Sequence, residues 1–305
     1  MCLYPLSACS GGLIELDSVR FVENIQYHYI SDDMNESSSL NDKDSLSFLC
    51  IGNSYNDDAL EFLPTILNCL NVTNIKIGKL SAQGIRFIDH YEAFLQNEPI
   101  YTYSYCNSSD HWIADNKKRS FSAIVNSESW DYVVFQEAGG LYGFWDYSII
   151  DQAIMMLSSY SNEVFVFWHI TWGFATCYSG TPFSSFNFSQ SEMYSYSKSL
   201  SSSLLDLGFG VIPSYETFDI LRHSRINNPP LDLTRDGYHA DYGVGRFAAA
   251  CTWYESLIAP HTGISVLGVP IDIQEGNIPV DKANFYLIEQ AAVNAVNSMQ
   301  KDYPL

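Results

Sequence analysis

From Ser45 onward the chain alternates short apolar runs with stretches of helical periodicity, and this alternation limits the fold more than any other feature. Leu46 to Ile51 is a brief apolar run ending at Gly52, the pattern of a buried strand. Asp57 to Leu70 follows as a helix with Leu60, Leu63, Leu67 and Leu70 three or four apart, and Pro64 inside it predicts a kink or a late start. Val72 to Ile77 reads as a second strand and Ile85 to Leu95 as a second helix. Tyr101 to Tyr105 suggests an extra edge strand or hairpin. Tyr132 to Phe135, Val164 to Ile170 and Phe209 to Ile212 complete five core strands. Helices are expected at Ser189 to Leu207, Gly243 to Leu257 and Lys282 to Met299. Strands that alternate with helices favour a mainly parallel sheet covered on both faces, with polar chemistry gathered at the strands' carboxyl ends.

A chain of 305 residues with 47% hydrophobic content can bury one large core, so a single α/β domain over residues 46–305 is expected. Residues 1–45 read as a leader or extension, because Ser31 to Ser39 is rich in acids and turn formers. Within it, Leu6-Ser7-Ala8-Cys9 matches the end of a lipoprotein signal, yet a basic start and a full apolar core are missing. Two readings stay open: export with lipidation at Cys9 from a start further upstream, or a chance match in a cytoplasmic protein. The longest apolar run, Val164 to Ile170, falls far short of the roughly 18 residues that a membrane span needs.

A net charge of −20 disfavours nucleic acid and anionic membrane surfaces, which call for clustered Lys and Arg. Seven scattered cysteines form no CxxC pair and read as small hydrophobes, not as a disulfide framework or zinc site. No metal-ligand spacing and no nucleotide fingerprint occurs, and Gly139-Gly140 reads as a loop. Neither metal nor cofactor is expected. Aromatics at 15% suit a groove that stacks on sugar rings, although Tyr-rich surfaces also occur without a ligand.

Two motifs carry the chemistry. Gly52-Asn53-Ser54 closes the first strand and opens onto a helix, which sets a serine hydroxyl at the sheet's carboxyl edge and its amide near a helix start. Alone, this triplet is equally an ordinary helix cap. Asp236-Gly237-Tyr238-His239 spaces a carboxylate and an imidazole so that Asp236 can hold one ring nitrogen while the other faces a nucleophile. Taken singly, such a DxxH is also a common surface neighbour pair.

Together, and with two further blocks, these motifs resemble the SGNH/GDSL hydrolase superfamily, and most narrowly the bacterial DUF4886 family. The matching segments are Ile51 to Ser54, Gly84 to His90, Trp130 to Glu137, and Arg235 to His239 with Gly245-Arg246-Phe247 and Trp253. The resemblance implies a three-layer α/β/α sandwich of flavodoxin-like SGNH type. It implies Ser54 as nucleophile, His239 as base and Asp236 as its orienting acid. Ser54 and Gly84 would supply oxyanion amides. The third block departs from the superfamily, which places an asparagine donor there; here Gln136 would have to serve from a longer stem.

The implied function is a serine esterase, with acyl groups on carbohydrate as the expected substrate. The alternatives are a short-chain or lipid esterase, and a carbohydrate-binding protein with weakened catalysis. Other residues admit plainer roles. His90 beside Asp89 suits a structural or rim position. His169 with Trp168 and Trp172 suits a pocket lining or a packed cluster. Glu137 is a candidate to contact substrate or tune the pocket's pKa values, or more plainly a partner for Arg246 or a backbone amide, and Asp57-Asp58 favour a helix start.

Overall fold

The structure is a computed structural model that describes residues 45–107, 111–139, 142–158, 160, 164–178 and 188–302. The extension before residue 45, with the lipidation motif at Cys9, and Gly140 lie outside these residues. Seven strands are described: β1 (Leu46–Gly52), β2 (Ile75–Ser81), β3 (Tyr101–Asn107), β4 (Ile113–Arg119), β5 (Tyr132–Gln136), β6 (Phe165–Ile170) and β7 (Gly210–Pro213). The helices are α1 (Ser54–Leu60), α2 (Leu63–Cys69), α3 (Phe87–Leu95), α4 (Phe121–Val125), α5 (Ser148–Leu157), α6 (Gln190–Asp206), α7 (Ser214–Arg222), α8 (Val244–Leu257), α9 (Ala259–Thr262) and α10 (Phe285–Asp302).

They form one sheet in the order β4-β3-β2-β1-β5-β6-β7. β2, β1, β5, β6 and β7 run parallel, while β3 and β4 add an antiparallel edge. The three-layer α/β/α class expected from the alternation is the one observed, but the sheet has seven strands, not five. The difference is the β3–β4 hairpin. Tyr101-Thr-Tyr-Ser-Tyr, the expected extra strand, lies between β2 and β4, whereas Ile113 to Arg119 forms the edge and is polar and mostly exposed. Its charges suit an edge that must not recruit another strand, and they hide it from a search for apolar runs.

β1 shows why the sheet sits centrally. Phe48 and Cys50 face the core shared with α1, α2, α8 and α10, and Leu49 and Ile51 face the opposite core with α3 to α6. A strand buried on both sides must be apolar at every position, hence the unbroken run. The expected helix from Asp57 to Leu70 is instead two helices, α1 and α2. Pro64 sits in the first turn of α2, where its missing N–H costs nothing. α1 already begins at Ser54, three residues before the expected start. α4, α5, α7 and α9 were not anticipated from the sequence. Of the described cysteines, Cys50, Cys106 and Cys251 are buried, Cys69 is partly covered and Cys177 is exposed, all as free thiols. Among the described residues no helix is long and apolar enough to cross a membrane.

Strand order reverses at β1, which has β2 on one side and β5 on the other. Loops leaving β1 and β5 therefore diverge and leave a crevice at their carboxyl ends. Phe135, fully buried near that end of β5, packs edge-on against Phe87 of α3 and beside Trp168 of β6. Phe135→Ala should therefore lower the free energy of unfolding by about 3–5 kcal/mol, read from urea denaturation.

Candidate active site

Asn53 follows β1 and caps α1. Its Oδ1 accepts the Tyr55 amide at 3.0 Å, which leaves Ser54 as the first helical residue. Gly52 allows the sharp turn: a Cβ there would lie 2.5 Å from Gln136 Oε1 and 2.7 Å from Asn56 Cβ. Only a residue without a side chain fits between the ends of β1 and β5.

Residues 235–240 fold back on themselves, with the Arg235 amide donating to the His239 carbonyl at 3.0 Å and a bridge joining Thr234 to Ala240. At the tip, Asp236 Oδ1 accepts the amides of His239 (2.8 Å) and Tyr238 (3.2 Å). Its Oδ2 meets His239 Nδ1 at 2.7 Å. His239 Nε2 lies 2.8 Å from Ser54 Oγ. The structure thus brings a hydroxyl, an imidazole and a carboxylate into one hydrogen-bonded line. Burial alone would raise the Asp236 carboxyl, but bonds from the His239 ring, its amide and the Tyr238 amide outweigh it and hold the group below the usual carboxylate range. An ionised Asp236 favours the His239 tautomer with its proton on Nδ1, leaving Nε2 free to accept from Ser54.

Among the described residues, neither the Ser54 nor the Gly84 amide donates to another protein group. Gly84 has φ of +70°, and a Cβ there would meet nothing within 4 Å. Its glycine is therefore set by the left-handed backbone, since no protein group crowds that side.

Gln136, expected as a side-chain oxyanion donor, has its amide engaged within the protein. One N–H of its amide goes to Asn53 Oδ1 at 3.2 Å and the other to the Glu137 carbonyl. Its Oε1 accepts the Asn53 amide at 3.3 Å. An amide nitrogen has two protons, and both are spent. The residue is buried, so the longer stem turns inward and clasps Asn53.

Asn53 in turn donates from Nδ2 to the Ile85 carbonyl at 3.0 Å, next to Gly84. Glu137 supports the same stretch from the other side by accepting the Phe87 amide at 3.1 Å and its neighbour Ala138's amide. Burial pushes the Glu137 carboxyl up, against the pull of those two amides and of Arg86. Glu137 is not the partner of Arg246, which bonds Asp58 instead. The roles of Asn53, Gln136 and Glu137 in fixing the Gly84 turn were missed in the sequence. The available signal was a run of polar residues at two adjacent strand ends, where burial forces them to pair.

The remaining histidines lie elsewhere. His90 is buried, stacked on Tyr101 and 2.9 Å from its hydroxyl through Nδ1; burial lowers its pKa to about 3. His169 is also buried, bonded to Ser214 Oγ at 2.9 Å and likewise lowered to about 3 by burial. Trp168 and Trp172 are fully buried packing residues, and Trp172 stacks flat on Phe218. Trp172 also donates to the Tyr238 carbonyl at 2.7 Å, which steadies the loop carrying His239. The aromatic rings beside His239 are Tyr238, with its centroid 4.1 Å from that of the imidazole, and Tyr55 at 6.0 Å, while Tyr178 packs on Tyr238. Asp57 binds Ser81 and Gln83, at 2.6 Å each. No group of three or more potential metal ligands occurs among the described residues.

Residues 47–292 match the family described as Domain of unknown function (DUF4886). The crystal structure of a DUF4886 family protein from Bacteroides uniformis is similar at 26% identity and a TM-score of 0.71, covering 86% of this chain and 96% of that one. More distant is a presumptive SGNH hydrolase from Slackia heliotrinireducens (15% identity, TM-score 0.46, 70% and 98% covered). A presumptive GDSL-like lipase from Parabacteroides merdae is similarly distant (13% identity, TM-score 0.46, 70% and 96% covered). A search of curated proteins returns no match.

Asn53→Ala removes the α1 cap and leaves Gln136 without its partner. It should lower stability by about 1–2 kcal/mol in urea unfolding, and Asn53→Ser, which keeps a capping oxygen, should recover part of that loss.

Proposed function

The chain belongs to the DUF4886 family, and we propose that it is a serine hydrolase of SGNH type acting on carboxylic esters, with acyl groups on carbohydrate as its substrates. The observation that carries this reading is the unbroken line from Ser54 Oγ through His239 to Asp236, with contacts of 2.8 and 2.7 Å. A surface neighbour pair has no need of a third group at the tip of a buried strand.

In the proposed reaction, His239 Nε2 takes the Ser54 proton as Oγ attacks the ester carbonyl. The Oγ–C bond forms and the carbonyl becomes a tetrahedral oxyanion, held by the Ser54 and Gly84 amides. Asp236 stabilises the imidazolium that results and keeps its ring oriented. On collapse, the bond to the alcohol oxygen breaks and His239 returns the proton to that oxygen. A water activated by the same nitrogen then attacks the acyl-enzyme, releasing the acid and restoring Ser54. Gln136 takes no part in holding charge here. A missing side-chain donor is worth ~10²–10³ in rate, so turnover should be modest by the standards of three-donor sites.

Two features support a sugar ester. Tyr238 stands beside His239 with Tyr178 packed behind it, both half-buried rings of the kind that stack on pyranose faces. A net charge of −20 favours a neutral leaving group over an anionic one.

A fluorophosphonate probe should label the native chain, and Ser54→Ala should abolish both labelling and hydrolysis of p-nitrophenyl acetate. Turnover that persists in this variant would remove Ser54 from the mechanism. Asp236→Asn should fold normally and lose roughly 10³–10⁴ in kcat. Across a panel, acetylated polysaccharide should be preferred to long-chain acyl esters; the opposite preference would point to a lipid esterase.

A further inference from the structure

Asp58 lies one helical turn beyond Ser54 on α1, and its side chain is 1% exposed. Four donor contacts converge on it. Arg235 Nη1 reaches Oδ1 and Oδ2 at 3.0 and 2.8 Å, Arg246 Nε reaches Oδ1 at 2.8 Å, and the Ala240 amide reaches Oδ2 at 3.2 Å. Arg235 directly precedes Asp236, and Ala240 directly follows His239. One buried carboxylate on the helix that carries the hydroxyl therefore grips both ends of the segment that carries the base and its acid.

The grip is braced from outside. Arg235 Nη1 also donates to the Ala240 carbonyl, so both ends of the segment meet at one guanidinium. The Tyr242 ring lies 4.6 Å from the Arg235 guanidinium and 4.7 Å from that of Arg246, shielding the two cations on one side. Arg246 belongs to the first turn of α8, so the carboxylate also ties α1 to α8.

We propose that Asp58 is a positioning residue for the reaction: through Arg235, Arg246 and Ala240 it sets the distance between Ser54 and His239. This rests on the hydrolase reading above. Asp58 touches neither substrate nor reacting atoms; it acts on where the imidazole stands. Serine and histidine arrive from sequence positions 185 apart, and their 2.8 Å contact is shorter than the slack of any surface loop. A shift of about 1 Å in such a pair typically costs ~10²-fold in rate while leaving substrate binding alone.

Asp58→Asn keeps the shape and one acceptor but removes the charge that both arginines answer. With p-nitrophenyl acetate, and with rates referred to active sites titrated by fluorophosphonate, it should lower kcat about 10²-fold with KM within about twofold. Fluorophosphonate labelling should slow by a similar factor. Arg246→Met, which removes one arm and leaves Arg235 in place, should give a smaller loss in kcat, about tenfold, again at constant KM. This second variant carries the test if the first does not fold. A merely structural carboxylate would lower the melting temperature but leave kcat per titrated site unchanged in both variants, and that result overturns the proposal. If the native chain itself takes no label at Ser54, the hydrolase reading falls and this proposal with it. A labelled native chain with unaltered variants sinks the Asp58 proposal alone.

Discussion

Everything in this molecule that could do chemistry depends on two polypeptide ends being held a hydrogen bond apart: the tip of β1 and the loop at Asp236 to His239. Neither is fixed by local structure alone. β1 is fixed because both its faces are packed, so a one-residue slip would swap its side chains between two cores shaped for other residues. The loop is fixed by polar contacts, because a return segment outside the sheet has no ladder to hold its backbone. Its own backbone bonds shape it, Trp172 steadies Tyr238, and the Asp58 cluster fastens both ends to α1.

A second polar framework works on the other side of Ser54. Gln136 clasps Asn53, Asn53 holds the Ile85 carbonyl, and Glu137 holds the start of α3. All three side chains sit where β1 and β5 end and the chain diverges. Buried amides and carboxylates cannot be left unpaired in such a place without a penalty, so they pair with one another and with backbone groups. Among the described residues the amides of Ser54 and Gly84 donate to no protein group, and the Gln136 amide is taken up by Asn53 and the Glu137 carbonyl.

The sequence made the parallel core legible because each central strand must be apolar on both faces, and five runs of that kind stand out. It could not show β4, since an exposed edge strand such as Ile113 to Arg119 carries charge where a central strand carries valine. The split between α1 and α2 was visible as Pro64 but not its consequence, that the proline would begin a helix instead of bending one. Ser54, His239 and Asp236 were singled out by two motifs and a family resemblance taken together, and the structure brings their side chains within hydrogen-bond distance. The bonds of Gln136 were not legible: its amide suits either an oxyanion or a structural clasp, and the positions of Asn53 and the Glu137 carbonyl are set by the fold. Asp58 was read as a favourable charge at a helix start, yet its partners lie some 180 residues away, a distance that no local pattern encodes.

The most direct measurement of the central claim is chemical trapping of the covalent intermediate. The chain would be mixed with excess p-nitrophenyl acetate, quenched with acid within the first turnovers, and its peptides mapped by mass. An acetyl group carried by Ser54 is the predicted result. Nitrophenol release with the acetyl group on another residue, or on none, would contradict it.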